Sequence, residues 1–324
     1  MVTKPKLLYL TVLAAVLYST ASISGCAPEV EVELQLVRFA GPEHFVSAED
    51  GLAALQNRYN FQFDEVYEIA MGFTHEALRA GDVDAALGYA TDGKIMELEL
   101  IALIDDKGVF PSRNAAPVAG EEILALYPEI EAAYREIRPH IDNRTMIRLN
   151  YLVDIEGYPL DKAVEEWMED RSILQGDPSR EKTKRPVIIG TKGYVEQEIL
   201  VHIMAVALNR RGIPVEIEAY PAGIRAARAA LLNGRIDLYW EYTGAAWREF
   251  FDQEPAIDCP DALFEAIREK DYENGLVWLD YAPLDNTHTL LMRREQAVEL
   301  GIYTISSFAR WVRTIQEENY QPGE

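Results

Sequence analysis

Cysteine is almost missing from this 324-residue chain, which holds only Cys26 and Cys259. A single pair supports neither a disulfide framework nor a cysteine-built metal site. Positive charge is scarce as well: 31 Lys and Arg face 54 Asp and Glu, a formal net charge of −23. A phosphate backbone would be repelled, which excludes nucleic acid as a partner. Long apolar runs are lacking, since the stretch at residues 7–17 is too short to cross a bilayer comfortably. The usual catalytic signatures are absent too, with no Gly-x-Ser-x-Gly elbow, no His-Glu-x-x-His and no glycine-rich phosphate loop. The histidines His44, His75, His140, His202 and His288 are scattered, and His202 sits among apolar residues as a core position would. A protein without catalysis, cofactor or bound metal is expected.

What is present begins with a repeated template: Ala77-Leu78-x-x-Gly81-x-Val83-Asp84-x4-Tyr89 and Ala230-Leu231-x-x-Gly234-x-Ile236-Asp237-x4-Tyr242. Each reads as a helix end, a glycine free to take left-handed geometry, and a short apolar strand that ends in tyrosine. Ligands of open α/β sheets sit at the carboxyl ends of strands. Two such units therefore predict two similar lobes, each with a tyrosine at its sheet edge. Residues 34–39, 66–69, 83–88, 187–190, 215–219, 236–240, 275–279 and 289–292 read as strands. Residues 52–58, 74–79, 195–211, 224–233, 263–270 and 306–317 read as helices, with a helical cluster at 121–126, 128–136, 143–153 and 160–170. This alternation predicts an α/β fold. Residues 176–186, polar, charged and closed by Pro186, read as a linker.

The first residues read as a secretory leader: Lys4 and Lys6, then the apolar run, then Ile23-Ser24-Gly25-Cys26. That tetrapeptide resembles a bacterial lipobox. Residues 1–26 are then a lipoprotein signal ending at Cys26, which would be acylated, and 27–33 a tether to the membrane. An ordinary signal peptide with an incidental cysteine is the alternative.

Several motifs resemble one family in succession. They are Gly190-Thr191-Lys192-Gly193-Tyr194-Val195-Glu196-Gln197, Asp237-Leu238-Tyr239-Trp240-Glu241-Tyr242-Thr243-Gly244, Asp285-Asn286-Thr287-His288 and Gly301-x-x-Thr304-Ile305-Ser306. Tyr89-Ala90-Thr91-Asp92-Gly93-Lys94-Ile95, Asp105 to Pro111 and Asn114-Ala115-Ala116-Pro117 belong with them. Together they resemble the substrate-binding proteins of osmoprotectant ABC importers, which take up glycine betaine, proline betaine, choline and related compounds. The resemblance implies a two-lobed, periplasmic-binding-protein-like (type II) α/β clamshell that delivers its ligand to a membrane permease with its own ATPase. The motif order departs from the family's, because the helical cluster precedes the Gly-Thr-Lys segment. A circular permutation is the expected cause, with lobe one formed by 32–104 plus 291–320, lobe two by 105–290, and closure about residues 104 and 290. A fusion of two half-proteins is the alternative.

The family resemblance implies four caging tyrosines around a quaternary ammonium and a polar group for its carboxylate. Tyr89 and Tyr242 stand at two cage positions, while Arg113 and His288 stand where the other two tyrosines are expected. Lys192 matches the carboxylate-binding lysine, with Thr191 and Tyr194 beside it as further candidates. The family's threonine after Tyr-Thr-Gly is Ala245 here, and Ala48 stands where an arginine is expected. Arg113 either points outward or takes over the carboxylate. Trp240 and Trp247 read as core residues first and replacement cage residues second. Glu241, Asp285 and Asp92 could favour a cation, though solvated surface is the default for acids in so acidic a chain. The expected ligand is a quaternary ammonium compound such as glycine betaine or choline; another small zwitterion or carboxylate, or a sensing role, are the alternatives.

If Cys26 carries the anchor, Cys26→Ser should move the protein from the detergent-extracted membrane fraction to the soluble one without altering ligand affinity. Retention in the membrane fraction after leader cleavage would show that acylation is not what holds it.

Overall fold

The computed structural model describes residues 34–173, 185–251, 257 and 259–320. The leader ending at Cys26, the tether 27–33 and residues 176–184 of the expected linker lie outside the described residues. Among the described residues ten strands form in chain order: β1 (Arg38–Gly41), β2 (Glu65–Glu68), β3 (Ala85–Tyr89), β4 (Leu100–Ala102), β5 (Ala115–Gly120), β6 (Val187–Thr191), β7 (Val215–Ala219), β8 (Leu238–Tyr242), β9 (Leu276–Trp278) and β10 (His288–Arg293). They sort into two five-stranded sheets of equivalent order, β2-β1-β3-β10-β4 and β7-β6-β8-β5-β9. In each sheet one strand runs against the others, β10 between β3 and β4, and β5 between β8 and β9. Both of these reversed strands directly follow a crossing of the chain from one sheet to the other.

The repeated template accounts for the likeness of the sheets. Gly81 (φ 80°) and Gly234 (φ 66°) end their helices in left-handed geometry, as the absence of a Cβ permits. The aspartate that follows begins each ladder. Asp84 N donates to Arg38 O and its Oδ2 accepts from Arg38 N, each at 2.9 Å. Asp237 N donates to Ile188 O and its Oδ2 accepts from Ile188 N, each at 2.8 Å. A carboxylate thus takes the place of a backbone carbonyl, so the regular strands begin later than the apolar pattern suggests and run to Tyr89 and Tyr242 themselves.

Helices cover both faces of each sheet. Phe39, Phe61, Phe63 and Phe308 form a ring cluster on the first, where the Phe39 and Phe63 centroids stack at 4.8 Å. Phe308, Val312 and Ile315, on the last helix Ile305–Tyr320, share that core with Val37. Gln35 and Asn319 exchange hydrogen bonds, so the two ends of the folded unit meet on the same lobe. The helical cluster packs with helix Val195–Asn209 against the second sheet.

Several elements differ from the expected ones, among them β4 and the helices Glu43–Ser47, Lys94–Glu97 and Arg294–Leu300, which were not expected. Strand β5 was not among the expected strands; Pro117 lacks a donor, but its carbonyl still accepts from Leu279 N at 3.0 Å. Helix Thr243–Phe251 follows Tyr242 with no loop, hiding its start. The helix expected at 143–153 is regular only over Asn143–Asn150 and continues as a π-helical turn, Tyr151–Ile155. A Cβ on Gly93 of the first lobe would lie 2.7 Å from Tyr151 N and 2.9 Å from the Asn150 carbonyl carbon.

Gly93 has ordinary helical backbone angles, so alanine fits its conformation but not its surroundings. Gly93→Ala should hold the lobes apart while leaving each core intact. Small-angle scattering should report a larger radius of gyration with a nearly unchanged melting temperature; an unchanged radius would show that this approach does not limit closure.

Candidate functional site

The carboxyl ends of β3 and β8 open on one cleft of about 800 Å³. Tyr89, Thr91, Asp92 and Gly93 line it from the first lobe, and Lys192, Tyr194, Glu196, Glu241, Tyr242 and Ala245 from the second. Arg113 and Asn286 line it from the two crossing segments. Tyr89 and Tyr242 thus face one cavity from opposite lobes.

Behind Tyr89 lies its register partner His288, whose ring centroid is 4.6 Å away at 37°. His288 is not a lining residue. Burial, with the neighbours Arg113, His44 and Arg248 adding to it, pushes its pKa down to about 3. It therefore backs Tyr89 as a neutral aromatic rather than a cation. Arg113 is fixed through its backbone, where N donates to Asp285 Oδ1 at 2.7 Å and O accepts from Asn286 N at 3.2 Å. Its guanidinium contacts the Tyr89 hydroxyl, and burial lowers its pKa from the usual arginine range. Among the described residues no carboxylate lies within ion-pair distance of it.

Lys192 has a different environment from the one expected of a carboxylate-binding lysine. Gly193 turns the chain at φ 78° directly after it, and its Nζ donates to Glu241 Oε1 at 2.7 Å. The ammonium lies 5.1 Å from the Tyr242 ring centroid and 5.7 Å from that of Tyr239. Lys192 is 7 % exposed and Glu241 0 %. Burial lowers the ammonium pKa, while Glu241 opposes that shift. Thr191 is also buried, accepts from Gly193 N at 3.3 Å and does not line the cleft, so it shapes the turn. Tyr194 caps helix Val195–Asn209 and stands exposed at the mouth.

The most connected group is Glu196, which was not singled out in the sequence. Its Oε2 accepts from Thr91 Oγ1 at 2.6 Å and Asn150 Nδ2 at 3.1 Å; its Oε1 accepts from Tyr242 OH at 2.5 Å and Asn286 Nδ2 at 2.8 Å. Burial raises its pKa and these donors pull it back. Asn150 also donates to Thr91 O at 2.8 Å, so the polar contact spans both lobes. Thr91, Glu196 and Asn286 all lie within the recognised motifs; Asn150 had no sequence signal. The surface default fails for Glu241, which is fully buried, and for Asp285, which is partly buried at the crossing. Trp240 is a core residue with its ring against Tyr134, and Trp247 packs against the second-lobe core; neither replaces a cage tyrosine. Ala48 is not among the lining residues.

The chain matches OpuAC, described as the substrate binding domain of ABC-type glycine betaine transport system, over residues 18–170 and 185–317. A glycine-betaine-binding protein of Pseudomonas aeruginosa is 37% identical over 135 residues, 42% of this chain and 42% of that protein. The carnitine transport binding protein OpuCC of Listeria monocytogenes is 31% identical over 127 residues, 39% of this chain and 41% of that protein. The alignments thus span less than half the length of these curated relatives. Among solved structures, a glycine betaine/carnitine/choline ABC transporter is similar at 27% identity, covering 43% of this chain and 51% of that one with a TM-score of 0.38.

His288 gives the site a pH signature. Its folded pKa of about 3 lies below the unfolded value of 6.5, so its contribution is complete above pH 6.5 and is lost as pH falls towards 3. The stability difference between wild type and His288→Gln should shift against the wild type by up to about 2 kcal/mol between pH 7 and pH 5. Denaturant titrations at both pH values would measure it, and a pH-independent difference would contradict the neutral buried imidazole.

Proposed function

The chain belongs to the family of substrate binding domains of ABC-type glycine betaine transport systems, and on that premise we propose that it is an extracytoplasmic solute-binding protein. Its ligand is a zwitterionic quaternary ammonium compound of the glycine betaine type, delivered to an ABC permease that draws its energy from a separate ATPase. The observation that carries this reading is Arg113, a half-buried guanidinium that lines the cleft against Tyr89 and, with Asp285 as its attracting acid, makes no ion pair among the described residues. A partly desolvated cation of that kind is complemented by a bidentate carboxylate. Choline offers none. The ammonium end meets the Tyr89 face, where cation-π attraction contributes roughly 0.5 to 2 kcal/mol, and Asp92, Asp154 and Glu198 on the lining add negative potential.

Closure brings Thr91 onto Glu196, so the ligand is enclosed by lobes turning about the crossing segments. The permuted arrangement, with lobe one formed around Tyr89 by both ends of the folded chain, draws support from the Gln35 and Asn319 exchange and from the match in two blocks, 18–170 and 185–317. An acylated Cys26 would hold the protein at the outer face of the membrane, on the tether 27–33. We assign no catalysis.

Calorimetry on the purified protein with glycine betaine, choline, carnitine and amino acids would identify the ligand. Arg113→Tyr should weaken glycine betaine by about 1.5 to 3 kcal/mol, the worth of a hydrogen bond to a charged group. Tighter binding would instead mark Arg113 as a repelling group beside a restored aromatic cage. Tyr89→Ala should cost about 1 to 3 kcal/mol through lost cation-π attraction and burial.

A further inference from the structure

We propose that Lys192 is a tethered internal cation: its ammonium fills the second-lobe half of the aromatic cage and so selects ligands that carry their own negative group. The inference rests on the functional reading above and concerns the same cleft. Two aromatic faces and a carboxylate surround the Lys192 Nζ, with Tyr242 at 5.1 Å, Tyr239 at 5.7 Å and Glu241 Oε1 at 2.7 Å. These are the partners that a free onium ion would seek. The Tyr242 ring cannot turn away easily, because its hydroxyl is held by Glu196. Glu241 is fully buried, with Oε1 accepting from both Lys192 Nζ and Tyr242 N (2.8 Å), while its Oε2 has no hydrogen-bond partner among the described residues.

The charge balance of the cleft follows. Of the acids that line it, Glu241 is matched by Lys192 and Glu196 is shared among four donors. Asp154 and Glu198 remain, with Asp92, whose Oδ2 lies 3.3 Å from His75 Nε2. Lys192 and Arg113 are the cations facing the ligand. A bare onium such as choline would meet like charge at Tyr242 and offer nothing to Arg113. A betaine places its carboxylate on Arg113 and its ammonium away from Lys192. Lys192 acts through Tyr242 and Glu241, as a specificity-determining residue.

The test is rescue by the fragment removed. Lys192→Ala leaves Glu241 buried without a counterion, and n-propylammonium is the missing end of the side chain. Millimolar n-propylammonium should raise the melting temperature of Lys192→Ala by several degrees and leave that of the wild type unmoved. Lys192→Ala combined with Glu241→Gln should not respond, because the anion is gone. In Lys192→Ala the affinity for choline relative to glycine betaine should rise at least about tenfold, as one fixed like charge is lost. Should that variant not fold, the neutral pair Lys192→Met with Glu241→Gln gives the same ratio readout. A melting temperature indifferent to n-propylammonium, an equal response in the double variant, or an unmoved affinity ratio would overturn the proposal. Rescue uses no betaine, so a wild type that binds neither compound defeats the functional reading alone, while absent rescue defeats the role of Lys192 alone.

Discussion

The closed arrangement of the lobes depends on one buried carboxylate. Glu196 leaves the first turn of helix Val195–Asn209 and gathers Thr91, Asn150, Tyr242 and Asn286 on its two oxygens. An isolated carboxylate would be costly to bury, and only a full set of donors makes this one tolerable. Thr91 comes from the other lobe, so that set is complete only when the lobes meet. With the lobes apart, water can solvate the exposed oxygen. In the proposed clamshell motion the two states would therefore differ by an exchange of a hydroxyl for water, a small difference that a ligand could tip. The break from α-helix to π-helix after Asn150 belongs to the same arrangement, since Asn150 reaches both Glu196 and the Thr91 carbonyl.

Much of the fold was legible because it is local. The paired templates disclosed two helix–glycine–strand units, and their tyrosines follow from the spacing alone. The role of Asp84 and Asp237 was not legible, because each is defined by a strand that lies far away in sequence. Strand β5 was hidden by Pro117, and its pairing with β8 and β9 is again a matter of tertiary context. Within the site, Arg113 and His288 stood out as departures from a pattern. Glu196 did not, being one acid among 54 Asp and Glu. The sequence singled out both Lys192 and Glu241 but not that they pair, since the two lie on segments far apart in the chain.

Charge is arranged very differently inside and out. A chain of net charge −23 must repel itself over much of its surface. In the interior Glu241 is matched by Lys192 and Asp271 by Arg228 and the Trp278 indole N–H, while Glu196 is met by neutral donors alone. Arg228 is further covered by the Phe250 ring at 4.3 Å. Against that background Arg113 is conspicuous, because among the described residues it makes no ion pair.

The two crossings between lobes lie side by side, with Asn114 and Asp285 joined as an antiparallel bridge and Asn286 N donating to Arg113 O. Arg113 therefore sits on the ribbon that joins the two sheets. A point on a rotation axis keeps its place while points far from it sweep through space. If the lobes turn about that ribbon, as proposed, a carboxylate docked on Arg113 would meet the same partner before and after the swing, whereas Thr91 and Glu196 would come together only at its end. Association kinetics then belong to the axis and residence time to the contacts away from it. Substitutions in the two places would alter affinity through different rate constants, even where their equilibrium effects are equal.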